Sequence, residues 1–178
     1  MKICSRCIYD EQIPNIEFDE NGVCNYCKQV DELNNQYKPG IKEGDEKLRG
    51  IINKIKSEGK SKKYDCIIGV SGGTDSSFLL CKAVEWGLRP LAVHYDNTWN
   101  TAISTENIRK VTKYCNVALY TYVIDNKEAD DIFRSFFFAG VPEFDASTDI
   151  GFAQVLRDAC AKYKIKYVLE GHSYHSEG

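Results

Sequence analysis

The chain has 178 residues, of which 43% are hydrophobic and 28% charged, so it can bury the core of one ordinary domain plus a small module, and wholesale disorder is excluded. The formal net charge of −3 lacks the basic surplus of a typical nucleic-acid-binding protein, and nucleic acid is therefore not an expected partner. No apolar stretch reaches membrane-spanning length and residues 1–4 do not open a signal peptide, which predicts a cytoplasmic protein without a membrane partner.

Four of the eight cysteines form two Cys-x-x-Cys pairs near the N-terminus, Cys4 with Cys7 and Cys24 with Cys27. Two such pairs are typical of a four-thiolate zinc site, because each short spacing lets two sulfurs reach one tetrahedral ion. The same residues could instead form two disulfides or hold an iron–sulfur cluster, although a reducing cytosol disfavours disulfides. A closed four-cysteine site leaves no position for a substrate, so we expect a structural zinc ion.

Residues 1–35 are accordingly predicted to be a zinc-binding module that needs its metal to fold. Residues 36–62 are predicted to be a linker and an amphipathic helix. Apolar residues recur there at helical spacing from Leu48 to Ile55, and Gly59 follows as a plausible stop. We expect this helix to pack beside the main domain.

From residue 63 onward, apolar runs that predict strands alternate with stretches that predict helices. This alternation is typical of an α/β fold with a doubly wound parallel sheet, in which ligands bind at the carboxyl ends of the strands. Residues 63–178 are therefore predicted to form one α/β domain. The predicted strands are 66–70, 90–95, 118–124 and 166–169, and the predicted helices are about 76–86, 105–114, 127–138 and 149–163.

The sequence Ser-Gly-Gly-Thr-Asp-Ser-Ser directly after the first predicted strand is the most informative motif of the chain. The turn between a strand and the N-terminus of a helix can bind an anion. Glycines in the turn let the backbone approach a phosphate, and the helix N-terminus favours negative charge. The spacing is neither that of a Walker loop nor that of a dinucleotide-binding fold. A glycine-rich turn with a Ser or Asp cap is the plainer alternative. The predicted nucleotide-binding residues are Ser71, Gly72, Gly73, Thr74, Asp75, Ser76 and Ser77.

This pattern, Ser-Gly-Gly-x-Asp-Ser, resembles the loop of the N-type ATP pyrophosphatases, which split ATP into AMP and pyrophosphate while adenylating a carbonyl oxygen. The resemblance implies that the pyrophosphate lies in this loop and that Ser71 and Asp75 are catalytic. It also implies that Asp75 helps to hold Mg²⁺. The same fold, an adenine nucleotide α-hydrolase-like sheet, is expected for this domain.

Two further polar segments follow predicted strands. Asp96 and Asn97 come after the second strand, where the resembling family cradles adenosine, although a turn rich in Asp and Asn explains them equally well. The Glu-Gly-His-Ser sequence after the last strand resembles an element that faces the phosphate loop in many of these enzymes. This resemblance implies that Glu170 is a second magnesium ligand, that Gly171 and His172 contact the nucleotide, and that His172 is catalytic.

The two cysteine pairs, the phosphate-loop pattern and the Glu-Gly-His-Ser segment together resemble the N-acetyl sugar amidotransferases of bacterial lipopolysaccharide biosynthesis. This resemblance implies that ATP adenylates the acetamido group of a UDP-linked N-acetyl sugar and that ammonia then displaces AMP to give an acetamidino sugar. The ammonia would come from a separate glutaminase subunit through a cyclase-like subunit, because no glutaminase arrangement is recognisable in the chain. The sequence stops just after a predicted strand, so we expect a truncated catalytic domain.

Two other functions remain open. A tRNA sulfurtransferase of the same superfamily also combines zinc-binding cysteine pairs with this loop, but it would need a basic RNA surface and a reactive cysteine near the nucleotide. A non-catalytic nucleotide-binding scaffold would bind ATP without cleaving it.

The remaining cysteines lie in apolar segments and, like the aromatic run 136–138, are expected to be packed in the core. These cysteines are Cys66, Cys81, Cys115 and Cys160.

Overall fold

The computed structural model describes residues 1–143 and 145–175, and its contacts divide the chain into two compact units. The first unit comprises Met1–Ile51 together with the described residues from His172 onward, and the second comprises Ile52–Gly171. The helices are α1 Asn25–Tyr37, α2 Lys42–Gly59, α3 Thr74–Glu85, α4 Ala102–Tyr114, α5 Asn126–Phe138 and α6 Ala146–Tyr163. The strands are β1 Cys66–Gly69, β2 Pro90–Asp96, β3 Leu119–Val123 and β4 Val168–Leu169.

The four strands form a wholly parallel sheet in the order β3-β2-β1-β4. Within it, Ile67 of β1 pairs with Leu91 of β2 on one side and with Val168 of β4 on the other. The chain therefore winds outward through β2 and β3 and then returns to the opposite side of β1. This reversal is a topological switch point, where a crevice opens at the carboxyl ends of the strands. The predicted doubly wound α/β fold is confirmed.

Successive residues of a strand point to opposite faces of the sheet, and in the central strands both sets are apolar. Helices therefore cover both faces. Helices α2, α3 and α4 cover one face, and α6 covers the other. The first face is buried around Ile55, Ile68, Leu80, Ala92 and Ile108. The second is buried around Ile67, Leu91, Val93, Val155 and Leu156. Among the described residues, none of the helices combines the length and the apolarity needed to cross a bilayer.

Helix α2 contains the predicted amphipathic segment, although it begins earlier, at Lys42. Ile52 and Ile55 are buried with β1 in the core of the second unit, with 6% and 2% of their surface exposed. Leu48 and Ile51, by contrast, are exposed. The predicted apolar stripe therefore packs only over the C-terminal part of the helix.

Helix α1 is not indicated by a strong apolar pattern in the sequence, and it buries no residue fully. Its start is fixed instead by Cys24, whose side chain accepts a hydrogen bond from the backbone N–H of Cys27 as an N-cap. Its end is fixed by Lys38, which adopts the left-handed conformation at φ +52°. The second Cys-x-x-Cys pair is thus also the start of a helix.

The expected burial of the aromatic run at the end of α5 is wrong for two of its three residues. Phe137 is 72% exposed and Phe138 is 78% exposed. Consecutive helical residues point in directions about 100° apart, so one buried stripe cannot cover all three rings. In α5 the buried residue is Ala129.

An ion pair joins the segments that enter β1 and β2. The Asp65 carboxylate accepts hydrogen bonds from the backbone N–H of Arg89 at 2.8 Å and from its guanidinium Nη2 at 2.6 Å. The same Nη2 donates to the carbonyl of Gly59 at the end of α2. Burial raises the pKa of Asp65, but the side-chain and backbone hydrogen bonds from Arg89 outweigh it and hold that pKa below its usual range.

We expect Asp65→Asn to lower the free energy of unfolding by about 1–2 kcal/mol at pH 7, because the charge-assisted hydrogen bonds are lost while Arg89, half-exposed, stays solvated. The pKa of Asp65 is lower in the folded than in the unfolded state. Its contribution is therefore complete above about pH 4 and is lost as the pH falls through the folded pKa. Urea unfolding of the wild type and of Asp65→Asn at pH 7 and pH 3 measures this loss of free energy. The matched control is Asp130→Asn, which changes an exposed aspartate. If the wild type and Asp65→Asn differed in free energy of unfolding by the same amount at both pH values, the assigned ion pair would be contradicted.

Candidate functional site

The phosphate-loop motif forms the turn between β1 and α3. Gly72 has φ +82°, and Gly73 is the N-cap of α3 without a capping side chain. The motif's hydroxyl groups bond within the turn: the Ser77 hydroxyl donates to the Gly73 carbonyl at 2.7 Å, and the Ser76 hydroxyl accepts from the Ser71 N–H at 3.3 Å. A helix start that no side chain caps offers backbone N–H groups and a positive dipole end to an anion.

The first two turns of α4 support this loop from one side. A Cβ atom placed on Gly72 would lie 2.3 Å from the Ser104 carbonyl oxygen, so the two backbones are in close contact. The Asn107 side-chain amide donates to the Gly72 carbonyl at 3.1 Å. Gly72 is therefore required both for its positive φ and for the absence of a side chain.

We expect Gly72→Ala to lower the free energy of unfolding by about 2 kcal/mol or more, because it combines a left-handed alanine with a clash against the backbone of Ser104. The neighbouring Gly73→Ala is the matched control. Its φ is −78°, and a Cβ there would meet only the Ser71 Oγ, at 3.4 Å, so the change should be below about 1 kcal/mol. Urea unfolding compares the two variants. Equal losses of stability would contradict the described packing of Gly72.

A buried histidine holds the end of the strand from which the loop departs. His94 of β2 is 6% exposed, and its Nδ1 lies 2.9 Å from the Val70 carbonyl oxygen. The Val70 N–H in turn donates to the Val93 carbonyl at 2.8 Å. In the neutral imidazole, Nδ1 carries the proton in this hydrogen bond, since a carbonyl oxygen can only accept. His94 thus fixes the last peptide before the loop.

The segment that leaves β4 lies against the start of α3, on the other side of the switch point. A Cβ atom on Gly171 would lie 3.3 Å from the backbone carbonyl carbon and oxygen of Asp75. Both Asp75 and Glu170 are exposed. The close approach places the ends of β1 and β4 at one edge of the sheet, as a ligand-binding crevice requires.

The polar residues at the end of β2 fold their own loop. The Asp96 carboxylate accepts hydrogen bonds from the Thr98 N–H and the Asn100 side-chain amide, both at 2.8 Å. The Asn97 amide donates to the Thr148 hydroxyl at the start of α6, at 3.1 Å. These contacts account for Asp96 and Asn97 as loop-forming residues, and their contact with a nucleotide stays a prediction.

The structure brings only part of the predicted site together. Three strands carry these residues at or just after their carboxyl ends: the Ser71–Ser77 segment, Asp96, Asn97, Glu170 and Gly171. Among them, Gly171 directly approaches Asp75. His172 belongs to the first unit, so its contact with a nucleotide stays a prediction. Two supporting residues are not indicated by the motif. One of them, His94, could have been noticed as a polar residue in an apolar strand, whereas Asn107 carries no such signal.

The four N-terminal cysteines converge as the sequence predicts. All four sulfur atoms lie within 4.8 Å of one another, with Cys4 and Cys27 at 3.9 Å and Cys7 and Cys24 at 3.7 Å. Four sulfurs at the zinc–sulfur distance of about 2.3 Å from one ion form a tetrahedron with edges of about 3.8 Å. A disulfide would need about 2.05 Å between two sulfurs. The cluster can therefore hold one metal ion.

Backbone N–H groups point at these sulfurs. The Cys4 sulfur accepts from the N–H groups of Arg6 and Cys24 at 3.4 and 3.3 Å. Burial opposes ionisation of Cys4, but these hydrogen bonds and one from the Cys7 backbone outweigh it and lower its pKa to about 6. Burial raises the pKa of Cys27 to about 12. N–H groups that stabilise a thiolate favour the ligand form that a metal binds.

An ion pair fixes the first cysteine pair to α1. The guanidinium of Arg6 binds the Asp31 carboxylate through both nitrogens, with Nη2 2.9 Å from Oδ1. This contact links the Cys4–Cys7 turn to the helix that begins after Cys24. Both halves of the cluster are thereby held by one helix.

No family model matches the chain. It is 28% identical over 171 residues to an uncharacterized protein of Methanocaldococcus jannaschii, a match that covers 95% of the chain but only 58% of the relative, so the chain spans less than two thirds of that protein. Similar solved structures include NMN synthetase from Francisella tularensis, with a TM-score of 0.51, 18% identity and coverage of 67% of this chain and 50% of that one. Another is NH₃-dependent NAD synthetase from Campylobacter jejuni, with a TM-score of 0.51, 15% identity and coverage of 72% and 56%. These likenesses show a shared fold.

Proposed function

We propose that the chain carries the nucleotide site of an ATP-dependent enzyme that forms AMP and pyrophosphate. The observation that carries the proposal is the Ser-Gly-Gly-x-Asp-Ser loop, which lies between β1 and the uncapped start of α3 with Gly171 packed on Asp75. Backbone N–H groups at such a helix start bind the charged oxygens of a pyrophosphate, and the glycines let those oxygens approach. A turn that served only to connect two elements would not need Gly72 in close contact with α4.

The residues of the site receive distinct roles in this proposal. Residues 71–77 bind the phosphates of ATP, with Ser71 and Asp75 acting at the reacting end. Asp75 and Glu170 are the residues that would hold Mg²⁺, which supplies positive charge against the departing pyrophosphate. Asp96 and Asn97 border the adenosine. His172 contacts the phosphates in the transition state.

The reaction that we propose is amidotransfer to an N-acetyl sugar. The acetamido oxygen of a UDP-linked sugar attacks the α-phosphate of ATP, pyrophosphate leaves, and ammonia then displaces AMP to give an acetamidino sugar. Adenylation is needed because an amide carbon is a poor electrophile, and the protein contributes positioning and charge stabilisation. Support comes from the shared fold with a synthetase that is NH₃-dependent by name. In this proposal a separate glutaminase and a cyclase-like subunit deliver the ammonia.

The four-cysteine cluster is proposed to hold a structural Zn²⁺ ion. The spacing of its sulfurs fits a tetrahedral four-thiolate site, and such a site leaves no ligand position for a substrate. Iron would be bound by the same ligands in an iron–sulfur cluster. Metal analysis of the purified protein distinguishes the two.

The test is to identify the nucleotide products that the full-length protein forms with ATP, Mg²⁺ and ammonia. One reaction contains a UDP-linked acetamido sugar, and a parallel reaction contains bulk tRNA with a sulfur donor. We expect AMP and pyrophosphate only with the sugar, together with a mass change that reports replacement of the amide oxygen by NH. AMP formation that depends on tRNA would instead establish the sulfurtransferase. ATP that binds but is never cleaved would establish the scaffold.

A further inference from the structure

Two cysteines outside the N-terminal cluster are in direct contact. The sulfur of Cys81, in α3, lies 3.3 Å from the sulfur of Cys115, the residue that caps the end of α4. Both side chains are half-buried, so small molecules can approach them without unfolding the protein. The sequence gives no hint of this pair, because the two residues lie in different helical segments and show no motif.

The environment of the pair differs from that of the other cysteines in the second unit. Cys66 is completely buried, so small molecules cannot reach its sulfur in the folded protein, and burial raises its pKa to about 12. Cys160 is half-buried on the opposite face of the sheet, against the cluster packed by α6. Burial and the neighbouring Cys81 raise the pKa of Cys115 to about 12, but Cys115 is only half-buried and its sulfur touches that of Cys81.

The pair joins the two helices that frame the phosphate loop. Helix α3 begins in the loop itself, and the first two turns of α4 contact Gly72 through Ser104 and Asn107. A covalent link between α3 and the end of α4 would therefore restrict the relative movement of both walls of the loop. Such a link acts on the loop without blocking it, because Cys81 lies about two turns from the start of α3 and Cys115 caps the far end of α4.

We propose that Cys81 and Cys115 are a redox modification site, in which a reversible disulfide clamps α3 to α4 and reduces the mobility of the Gly72 loop. The oxidant is a low-molecular-weight disulfide such as oxidised glutathione. The Cys81 thiolate attacks it, forms a mixed disulfide and releases one glutathione thiolate. Cys115 then loses its proton and attacks the Cys81 sulfur, which releases the second glutathione. Two protein thiols are oxidised and one glutathione disulfide is reduced to two thiols.

The first experiment treats the full chain with oxidised glutathione, alkylates the remaining thiols and digests it without reductant. We expect a cross-linked peptide pair whose fragment ions assign the bond to Cys81 and Cys115, and its loss after dithiothreitol. Cys115→Ser should abolish the cross-link and leave Cys81 with bound glutathione. Cys160→Ser is the matched control and should leave the cross-link unchanged. Absence of a Cys81–Cys115 bond, or a bond to Cys66 instead, would overturn the proposal.

The second experiment measures amide hydrogen exchange in residues 71–77 of the reduced and oxidised protein. We expect exchange in these residues to slow by roughly tenfold on oxidation, and to be unaffected by oxidation in Cys115→Ser. The melting temperature of the oxidised protein should rise by about 5 °C or more, because the bond constrains the unfolded chain. Unchanged exchange and an unchanged melting temperature in a fully cross-linked sample would overturn the clamp.

Discussion

Asp75→Ala is expected to reduce AMP formation by about a thousandfold while leaving the fold intact. Asp75 lies in the first turn of α3, is exposed, and sits where the start of that helix meets Gly171. In the proposed reaction its carboxylate helps to hold the cation that offsets charge on the departing pyrophosphate. Because the side chain contributes little to the core, its removal should act on the reaction and not on stability.

The measurement is the rate of AMP and pyrophosphate release, with the unfolding curve recorded for the same samples. Asp130→Ala is the matched control, since Asp130 is also an exposed aspartate near the start of a helix, α5. The control should keep the wild-type rate. Near-normal AMP formation by Asp75→Ala would remove the assigned magnesium role, and a large loss of stability would show that the residue acts through the fold.

Cys24→Ser is expected to release the metal and unfold the N-terminal cysteine module. Cys24 is completely buried, its sulfur belongs to the four-cysteine cluster, and it also caps α1. Structural zinc supplies on the order of 10 kcal/mol to the folding of small modules, far more than a module with so few buried residues gains from packing. We therefore expect the zinc content to fall from about one ion per chain to nearly none.

Metal content by mass spectrometry and amide exchange in residues 1–35 report the two effects separately. The matched control is Cys160→Ser, which removes a half-buried cysteine that lies outside the cluster. Only Cys24→Ser should lose metal and amide protection. An unchanged metal content would refute the cluster as the binding site, and iron in place of zinc would identify an iron–sulfur protein.

The elements that alternate along the second unit could be predicted from the sequence, because each carries a strong local pattern. The strand predicted at 90–95 is β2 Pro90–Asp96, and the strand predicted at 66–70 is β1 Cys66–Gly69. Likewise, two Cys-x-x-Cys pairs predict that four sulfurs converge, because the short spacing within each pair lets both of its sulfurs reach one ion. In these cases the residues within one short segment were enough to predict the structure.

The contacts between elements could not be predicted in the same way. Asn107 bonds to Gly72, and Cys81 touches Cys115, only because α3 and α4 lie side by side on one face of the sheet. Helix α1 is specified by its caps and by the cysteine cluster more than by an apolar stripe. Such features depend on which elements become neighbours, and no periodicity within one element encodes that.

The strand order has a consequence for the time course of folding. β1 finds its first partner, β2, after a single helix, whereas its second partner, β4, is reached only after the whole of β2 through α6 has been synthesised. Closing that longer loop carries the larger entropic cost, so β4 should be the last of these four strands to dock, both in refolding and on the ribosome. Until then one edge of β1 stays unpaired, and Gly171 has not reached Asp75. The phosphate loop is thus expected to form early and the crevice around it late. Because an unpaired strand edge can pair with another chain, the protein should be most prone to aggregation before β4 docks.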